Sequence, residues 1–93
     1  MVTGILKVDL FMFDSDSLKA RRRILKSIKD RTRARFNVSI SEIGEDTPWQ
    51  RATLGIACVT RNRRHADEVF SRIINMIEGN GSVEIINQEV EFL

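Results

Sequence analysis

The order in which two hydrophobic periodicities follow one another constrains the fold of this chain most strongly. Residues 4–13 alternate between apolar and polar side chains, which predicts a strand buried on one side. Its apolar side consists of Gly4, Leu6, Val8, Leu10 and Met12. The same period of two returns in residues 37–43, with Val38 and Ile40 inward, and in residues 50–60. The inward side of this third strand consists of Ala52, Leu54, Ile56 and Cys58.

Two segments with the helical period of 3.6 lie between these strands. Residues 18–36 follow a polar stretch in which Ser17 is the expected N-cap. The apolar face of this first helix consists of Leu18, Leu25, Ile28, Thr32 and Phe36. The apolar face of the second helix, residues 62–78, consists of Ala66, Val69, Phe70, Ile73, Ile74 and Ile77. We expect the GNG segment, Gly79 to Gly81, to end the second helix, because glycine tolerates the left-handed conformation that closes a helix.

The last segment, residues 82–92, alternates in two phases. Val83 and Ile85 share one phase, whereas Ile86, Val90 and Phe92 share the other. This change predicts a bulge or an edge strand that leaves the sheet. The complete order is β-α-β-β-α-β, and two right-handed crossovers place both helices on one face of the sheet. The sequence therefore predicts an α+β ferredoxin-like sandwich, with an antiparallel sheet of order 4-1-3-2, as a single domain over residues 1–93.

Length and cysteine content narrow the class of protein further. Ninety-three residues suit one small domain, and the single cysteine, Cys58, excludes an internal disulfide. The first residues lack the basic region and cleavage site of a signal peptide, and no apolar run approaches the roughly 20 residues of a membrane span. We expect a cytoplasmic protein without a membrane role.

One long stretch carries a resemblance to a known family. The segment SLKARRRILKSIKDRTRARFNVSISEIGEDTPWQRATLGIACV, and the chain around it, resemble the YlxP-like family of small bacterial proteins. The resemblance implies a ferredoxin-like domain of unknown function, an accessory role in bacterial translation, and no catalytic residues. Two departures are Ala20, where the family usually has the Glu of a capping box, and the loop containing Thr47 and Pro48.

The first helix is strongly basic. Residues 17–36 carry nine basic residues and one acidic residue, whereas the rest of the chain carries six and twelve. Six of the cations fall on an arc about 120° wide beside the apolar face. This basic arc consists of Lys19, Arg22, Arg23, Lys26, Lys29 and Arg33. It predicts a nucleic-acid-binding surface for a polyanion such as structured RNA. The family resemblance implies that this partner is ribosomal RNA or a ribosomal particle.

The alternative is that acidic residues elsewhere neutralise the basic arc within the fold. The candidates are Asp67 and Glu78 on the second helix and Glu84, Glu89 and Glu91 on the last strand. The sequence leaves both interpretations open.

The face of the sheet that no helix covers, here called the open face, is the second candidate surface. Its predicted interface residues are Ile5, Phe11, Phe13, Ile43 and Val59. We expect this face to be apolar and low in the middle, at Gly55 and Ala57, and to form a homodimer. The third strand lacks the base-stacking aromatics of an RNA-recognition motif. A protein-interaction module that uses the open face, with no nucleic-acid role, is the alternative function.

Other reactive side chains point to ordinary structural roles. Trp49 is interpreted as a lid over the end of the sheet, with base stacking as the alternative, and Cys58 as a core residue. His65 has no partners at metal-ligand spacing. The sequence therefore predicts no enzyme, no metal site, no cofactor and no small-molecule substrate.

Overall fold

The predicted order of strands and helices is confirmed. The computed structural model describes residues 1–13, 15–44 and 49–93. Its elements are β1 (Val2–Met12), α1 (Leu18–Arg35), β2 (Ser39–Glu42), β3 (Arg51–Thr60), α2 (Arg63–Glu78) and β4 (Val83–Phe92). The second strand is shorter than residues 37–43, and most of the predicted loop after it, including Thr47 and Pro48, lies outside the described residues.

The four strands form one antiparallel sheet in the order β2-β3-β1-β4. This is the predicted order 4-1-3-2 read from the other edge, and the fold is ferredoxin-like. The two inner strands, β1 and β3, pair from Val2 opposite Thr60 to Phe11 opposite Arg51. They supply the most buried side chains because each has a hydrogen-bonded neighbour on both sides.

The core lies between the sheet and the two helices. The predicted inward residues of β1 and β3 are all buried, and Ile40 of β2 joins them. Val38, which precedes β2, packs against this core while remaining partly exposed. Gly4 allows α2 to approach β1 closely, because a Cβ at this position would lie 3.0 Å from Cε2 of Phe70.

Helix α1 begins as predicted but packs along a narrower stripe than predicted. The Ser17 hydroxyl accepts a hydrogen bond from the Ala20 amide at 3.1 Å, which confirms the N-cap. Its buried residues are Leu25, Ile28 and Thr32. The prediction for Leu18 was wrong, since this side chain is 48% exposed in the first turn, before the stripe meets the core. Phe36 caps the C-terminus and is half-buried.

Helix α2 is capped by Asn62, whose side chain accepts a hydrogen bond from the His65 amide at 2.9 Å. Its buried residues are Ala66, Phe70, Ile73 and Ile77, and Val69 and Ile74 are partly buried beside them. The helix ends at the predicted GNG segment, but the left-handed conformation predicted there was wrong, because Gly79 has a φ of −71° and the described glycine with a positive φ is Gly44. The chain turns instead at Asn80, whose amide donates to the Ile77 carbonyl at 3.0 Å.

Strand β4 contains the predicted bulge. Leu10 of β1 pairs with Ile85 and Asp9 pairs with Asn87, so Ile86 is an extra residue without a partner on β1. The bulge therefore explains the change of phase in the sequence. β4 also forms one edge of the sheet, as expected.

Candidate nucleic-acid interface

The basic arc lies on the outer surface of α1, away from the core. All its members are exposed except Lys29, which is half-buried. Four of them line a shallow groove between α1 and β2, here called the β2-side groove. These four are Arg22, Lys26, Lys29 and Arg33. The structure thus brings most of the predicted nucleic-acid-binding residues together along one side of the helix.

One carboxylate within α1 neutralises part of the arc. Asp30 accepts a hydrogen bond from Lys26 at 2.6 Å and lies 3.9 Å from Arg33. The hydrogen bond from Lys26 is the largest cause that lowers the pKa of Asp30, and the positive charges of Lys26, Arg33 and Lys29 add to it. Arg33 also donates to the Ile40 carbonyl of β2 at 3.0 Å. Lys26 and Arg33 are therefore partly engaged within the fold.

Arg21 has a structural role that the sequence analysis missed. Its guanidinium pairs with the Glu42 carboxylate of β2 at 2.5 Å and donates to the Arg51 carbonyl of β3 at 3.1 Å. The side chains are only 12% and 29% exposed. A signal was present in the sequence, because Arg21 precedes Leu25 by one helical turn and so lies on the apolar stripe. A cation in that position requires a partner.

Apart from Lys26 and Arg33, the cations of the basic arc have no ion pair with the described residues. No described carboxylate lies within 4.0 Å of the charged groups of Lys19, Arg22, Arg23 and Lys29. Lys19, Arg22 and Arg23 are exposed and Lys29 is half-buried.

The acidic residues of β4 lie on the other side of the sheet. The register pairs Glu84 with Phe11, Glu89 with Lys7, and Glu91 with Ile5, and these β1 residues belong to the open face. Helix α1 packs on the opposite face, and its neighbour β2 forms the opposite edge of the sheet from β4. The glutamates of β4 therefore do not neutralise the basic arc.

The two acidic candidates on α2 do not pair with the arc either. Asp67 and Glu78 are exposed, and within residues 1–13, 15–44 and 49–93 neither carboxylate lies within 4.0 Å of a cation of α1. The ion pair found on α2 joins Arg64 to Glu68 at 3.5 Å. Asp30 and Glu42 are thus the described carboxylates that pair with α1.

The open face carries exposed apolar side chains at both ends and a further one, Ile43, over Gly55. Val59 is 65% exposed at one end, and Phe13 packs edge-on against Phe11 at the other, with ring centroids 5.5 Å apart. Ile43 folds over Gly55, where its Cδ1 atom would lie 3.2 Å from an added Cβ. The predicted interface residues, including the half-buried Ile5, do lie on or beside this face.

Gly55 and Ala57 lie on the open face as expected, but a cluster of polar side chains interrupts its apolar surface. Asp9 accepts hydrogen bonds from the Thr53 hydroxyl at 2.6 Å and from the Asn87 amide at 3.4 Å. This polar cluster crosses β3, β1 and β4, two residues along β1 from the Lys7–Gly55 pair. The apolar residues are therefore separated into two groups.

Three further side chains were considered from the sequence, Cys58, His65 and Trp49. Cys58 is buried, and burial raises the pKa of its thiol, as expected of a core cysteine rather than a nucleophile. His65 is exposed, and the described residues contain no group of three potential metal ligands. The side chain of Trp49 is 51% exposed, and its backbone carbonyl accepts a hydrogen bond from the Ser15 hydroxyl at 2.6 Å. None of the helices in the described ranges is both long and apolar enough to cross a membrane.

Comparison with known proteins gives matches to both the sequence and the fold. Residues 3–90 match the family described as "Protein of unknown function (DUF503)". The chain is 37% identical over 81 residues to "Uncharacterized protein YlxP" of Bacillus subtilis (strain 168), covering 87% of this chain and 88% of that protein. The fold is similar to that of protein YJCS, with a TM-score of 0.62, 9% identity and 96% of each chain covered. The fold is also similar to that of a de novo designed protein with a ferredoxin fold, with a TM-score of 0.59 and 15% identity. This match covers 100% of this chain and 84% of the designed chain.

Proposed function

The chain belongs to the DUF503 family, and we propose that it is a non-enzymatic, cytoplasmic accessory protein that binds RNA or a ribosomal particle through α1. The observation that carries this proposal is the set of four exposed or half-buried cations on α1 that no described carboxylate neutralises. These are Lys19, Arg22, Arg23 and Lys29.

Charge separation within the fold supports a polyanion as the partner. The basic arc lies on the helical side near the β2 edge, whereas the glutamates of β4 lie on the open face at the other edge. A polyanion that approaches α1 therefore meets positive charge without facing those glutamates. Lysine and arginine side chains that contact phosphates release condensed counterions, which drives binding at low salt.

The local structure of α1 also supports a role beyond stability. Lys19 and Arg23, like Arg22 and Lys26, are like charges four residues apart, and each such pair destabilises an isolated helix by about 0.2–0.5 kcal/mol. The first turn contains no acidic residue, although acidic residues would suit the helix dipole there. A binding surface for phosphates accounts for charges that the stability of the helix does not require.

The proposal is tested by binding of the full chain to a ribosomal RNA fragment or to ribosomal subunits over a salt series. If the basic arc makes about six phosphate contacts, the logarithm of the association constant falls with the logarithm of salt concentration with a slope of magnitude about 4–6. The variant Lys19→Glu/Arg22→Glu removes two unneutralised cations and should lower that magnitude by about 2.

The matched control is Arg61→Glu/Arg72→Glu. It changes the net charge equally, at two exposed positions outside α1. This control should retain most of the slope, whereas an equal loss in both variants would mean that the protein responds to overall charge and not to α1. Absence of binding to any ribosomal RNA at low salt would overturn the proposal.

The exposed apolar ends of the open face favour a second candidate function, self-association into a homodimer. Val59 and Phe13 are more than half exposed, at opposite ends of that face. Light scattering of the full chain over a concentration series tests this candidate. A dimer that Val59→Asp converts to a monomer, and that Arg61→Asp leaves intact, would support it. A chain that stays monomeric at high concentration would refute it.

A further inference from the structure

A second groove runs along the other flank of α1. It lies between α1 and the turn that joins α2 to β4, and is here called the turn-side groove. It is lined by Arg23, Ile24, Ser27 and Arg31 of α1 and by residues 79–82 of the turn. Arg31 is not part of the basic arc.

The two grooves lie on opposite sides of the helix. Arg22, in the β2-side groove, and Arg31, in the turn-side groove, are nine residues apart. At about 100° per residue this separation places them about 180° apart around the helix axis. Both side chains are exposed. Helix α1 is therefore a ridge with positive charge along both flanks.

The turn-side groove is open to a ligand and positive. No described carboxylate lies within 4.0 Å of the guanidinium groups of Arg23 and Arg31. On the other wall, an added Cβ at Gly81 would meet no heavy atom within 4 Å. The wall formed by the turn is therefore uncrowded at Gly81.

We infer that α1 binds base-paired RNA, with phosphates of both strands held on the two sides of the helix. This inference rests on the proposed RNA-binding function and specifies the class of RNA. A single strand offers one line of phosphates, which can follow one groove at a time. A duplex offers two phosphate backbones, separated in A-form RNA by a wide and shallow minor groove. A helix of about 10–12 Å diameter with cations on both flanks matches two such backbones.

The experiment compares two RNA probes of equal length on the full chain. One is a hairpin with a stem of about 16 base pairs, the span of a double-stranded-RNA-binding domain, and the other is an unstructured oligouridine. Two variants each remove two cations from one groove, Arg22→Ala/Lys29→Ala and Arg23→Ala/Arg31→Ala. The matched control, Arg61→Ala/Arg72→Ala, removes two exposed cations outside α1.

We expect the hairpin to bind more tightly than oligouridine, and both groove variants to weaken hairpin binding. Loss of two phosphate contacts lowers the salt slope by about 1.8, which corresponds to roughly 30-fold weaker binding at 0.15 M salt. The control should change hairpin binding much less. Melting temperatures near that of the unmodified chain would show that the variants remain folded.

The possible failures separate this inference from the proposed function. If oligouridine binds as tightly as the hairpin and Arg23→Ala/Arg31→Ala has no effect, the inference is overturned while RNA binding stands. If neither RNA binds but an acidic polypeptide such as polyglutamate does, both the inference and the proposed function are overturned.

Discussion

The two helices pack on the same sheet in different ways. Helix α2 buries Ala66, Phe70, Ile73 and Ile77, and Phe70 reaches across to Gly4 of β1. Helix α1, although two residues longer, buries only Leu25, Ile28 and Thr32. One of these three is polar, and its hydroxyl donates to the Ile28 carbonyl at 2.8 Å. Apolar burial therefore holds α2 more strongly than α1.

Polar contacts at the edge of the sheet supplement the narrow stripe of α1. Arg21 pairs with Glu42, and Arg33 donates to the Ile40 carbonyl, so both contacts join α1 to β2. These contacts leave the rest of the helix surface available to solvent. Helix α2 therefore contributes mainly to the core, whereas α1 combines a modest anchor with a large charged surface.

The largest expected effect tests the packing of α2. Phe70→Ala leaves a cavity against Gly4 and should lower the free energy of unfolding by about 3–5 kcal/mol. Thr32→Val is the contrasting change in α1. It should alter the free energy of unfolding by less than about 1 kcal/mol, because the Thr32 hydroxyl donates only to the Ile28 carbonyl of the same helix. Urea unfolding measures both, and equal losses would contradict the difference between the helices.

An intermediate effect tests the polar anchor of α1. Arg21→Met keeps the apolar stem but leaves Glu42 without its ion pair, and should cost about 1.5–3 kcal/mol in unfolding free energy. Arg22→Met, one residue along and exposed, should change stability by less than about 0.5 kcal/mol. A double-mutant cycle with Glu42→Gln isolates the coupling, and a coupling near zero would show that the contact does not anchor the helix.

The smallest effect concerns Asp30 on the outer surface of α1. The pKa of its carboxyl group is lowered in the folded chain, first by the hydrogen bond from Lys26. Its stabilising contribution is therefore present above the unfolded pKa, near 3.9, and is lost as pH falls through the lower folded pKa. The melting temperature of Asp30→Asn should lie slightly below that of the unmodified chain at pH 6, and the difference should shrink as the pH falls through the lowered pKa of Asp30.

High salt supplies the control for Asp30, because this pair is exposed. At about 1 M salt the difference between the two chains should shrink. A difference that persists in high salt, or that does not depend on pH, would contradict an electrostatic origin.

The inner strands could be predicted from the sequence because their burial is periodic and local. Each of these strands has the core on one side and the open face on the other. Alternation along the strand therefore identifies its inward residues. The exposure of Leu18 could not be predicted, because periodicity gives a direction around the helix but not the point at which the helix meets the core. Arg21 fills the stripe one turn later, where its partner comes from β2.

The basic arc could also be predicted, since residues on one helix have fixed angular relations. The positions of the acidic residues could not. Which face Glu89 and Glu91 occupy depends on the bulge at Ile86, which shifts every later side chain of β4 to the opposite face. If Ile86 instead paired with Asp9 in a regular ladder, Glu89 would lie opposite Leu6 and both glutamates would lie on the side of the helices. The sequence indicated a bulge but not its exact position.

The same bulge has a consequence for how copies of the chain meet one another in a crowded solution. An exposed edge strand can template the addition of a strand from another molecule, which is a common route to aggregation. β4 interrupts its own hydrogen-bonding ladder at Ile86 and carries Glu84, Glu89 and Glu91, whose charges repel a second β4. At the other edge, β2 has only four residues. Both edges of the sheet therefore discourage strand addition, which protects the protein against aggregation at high local concentration.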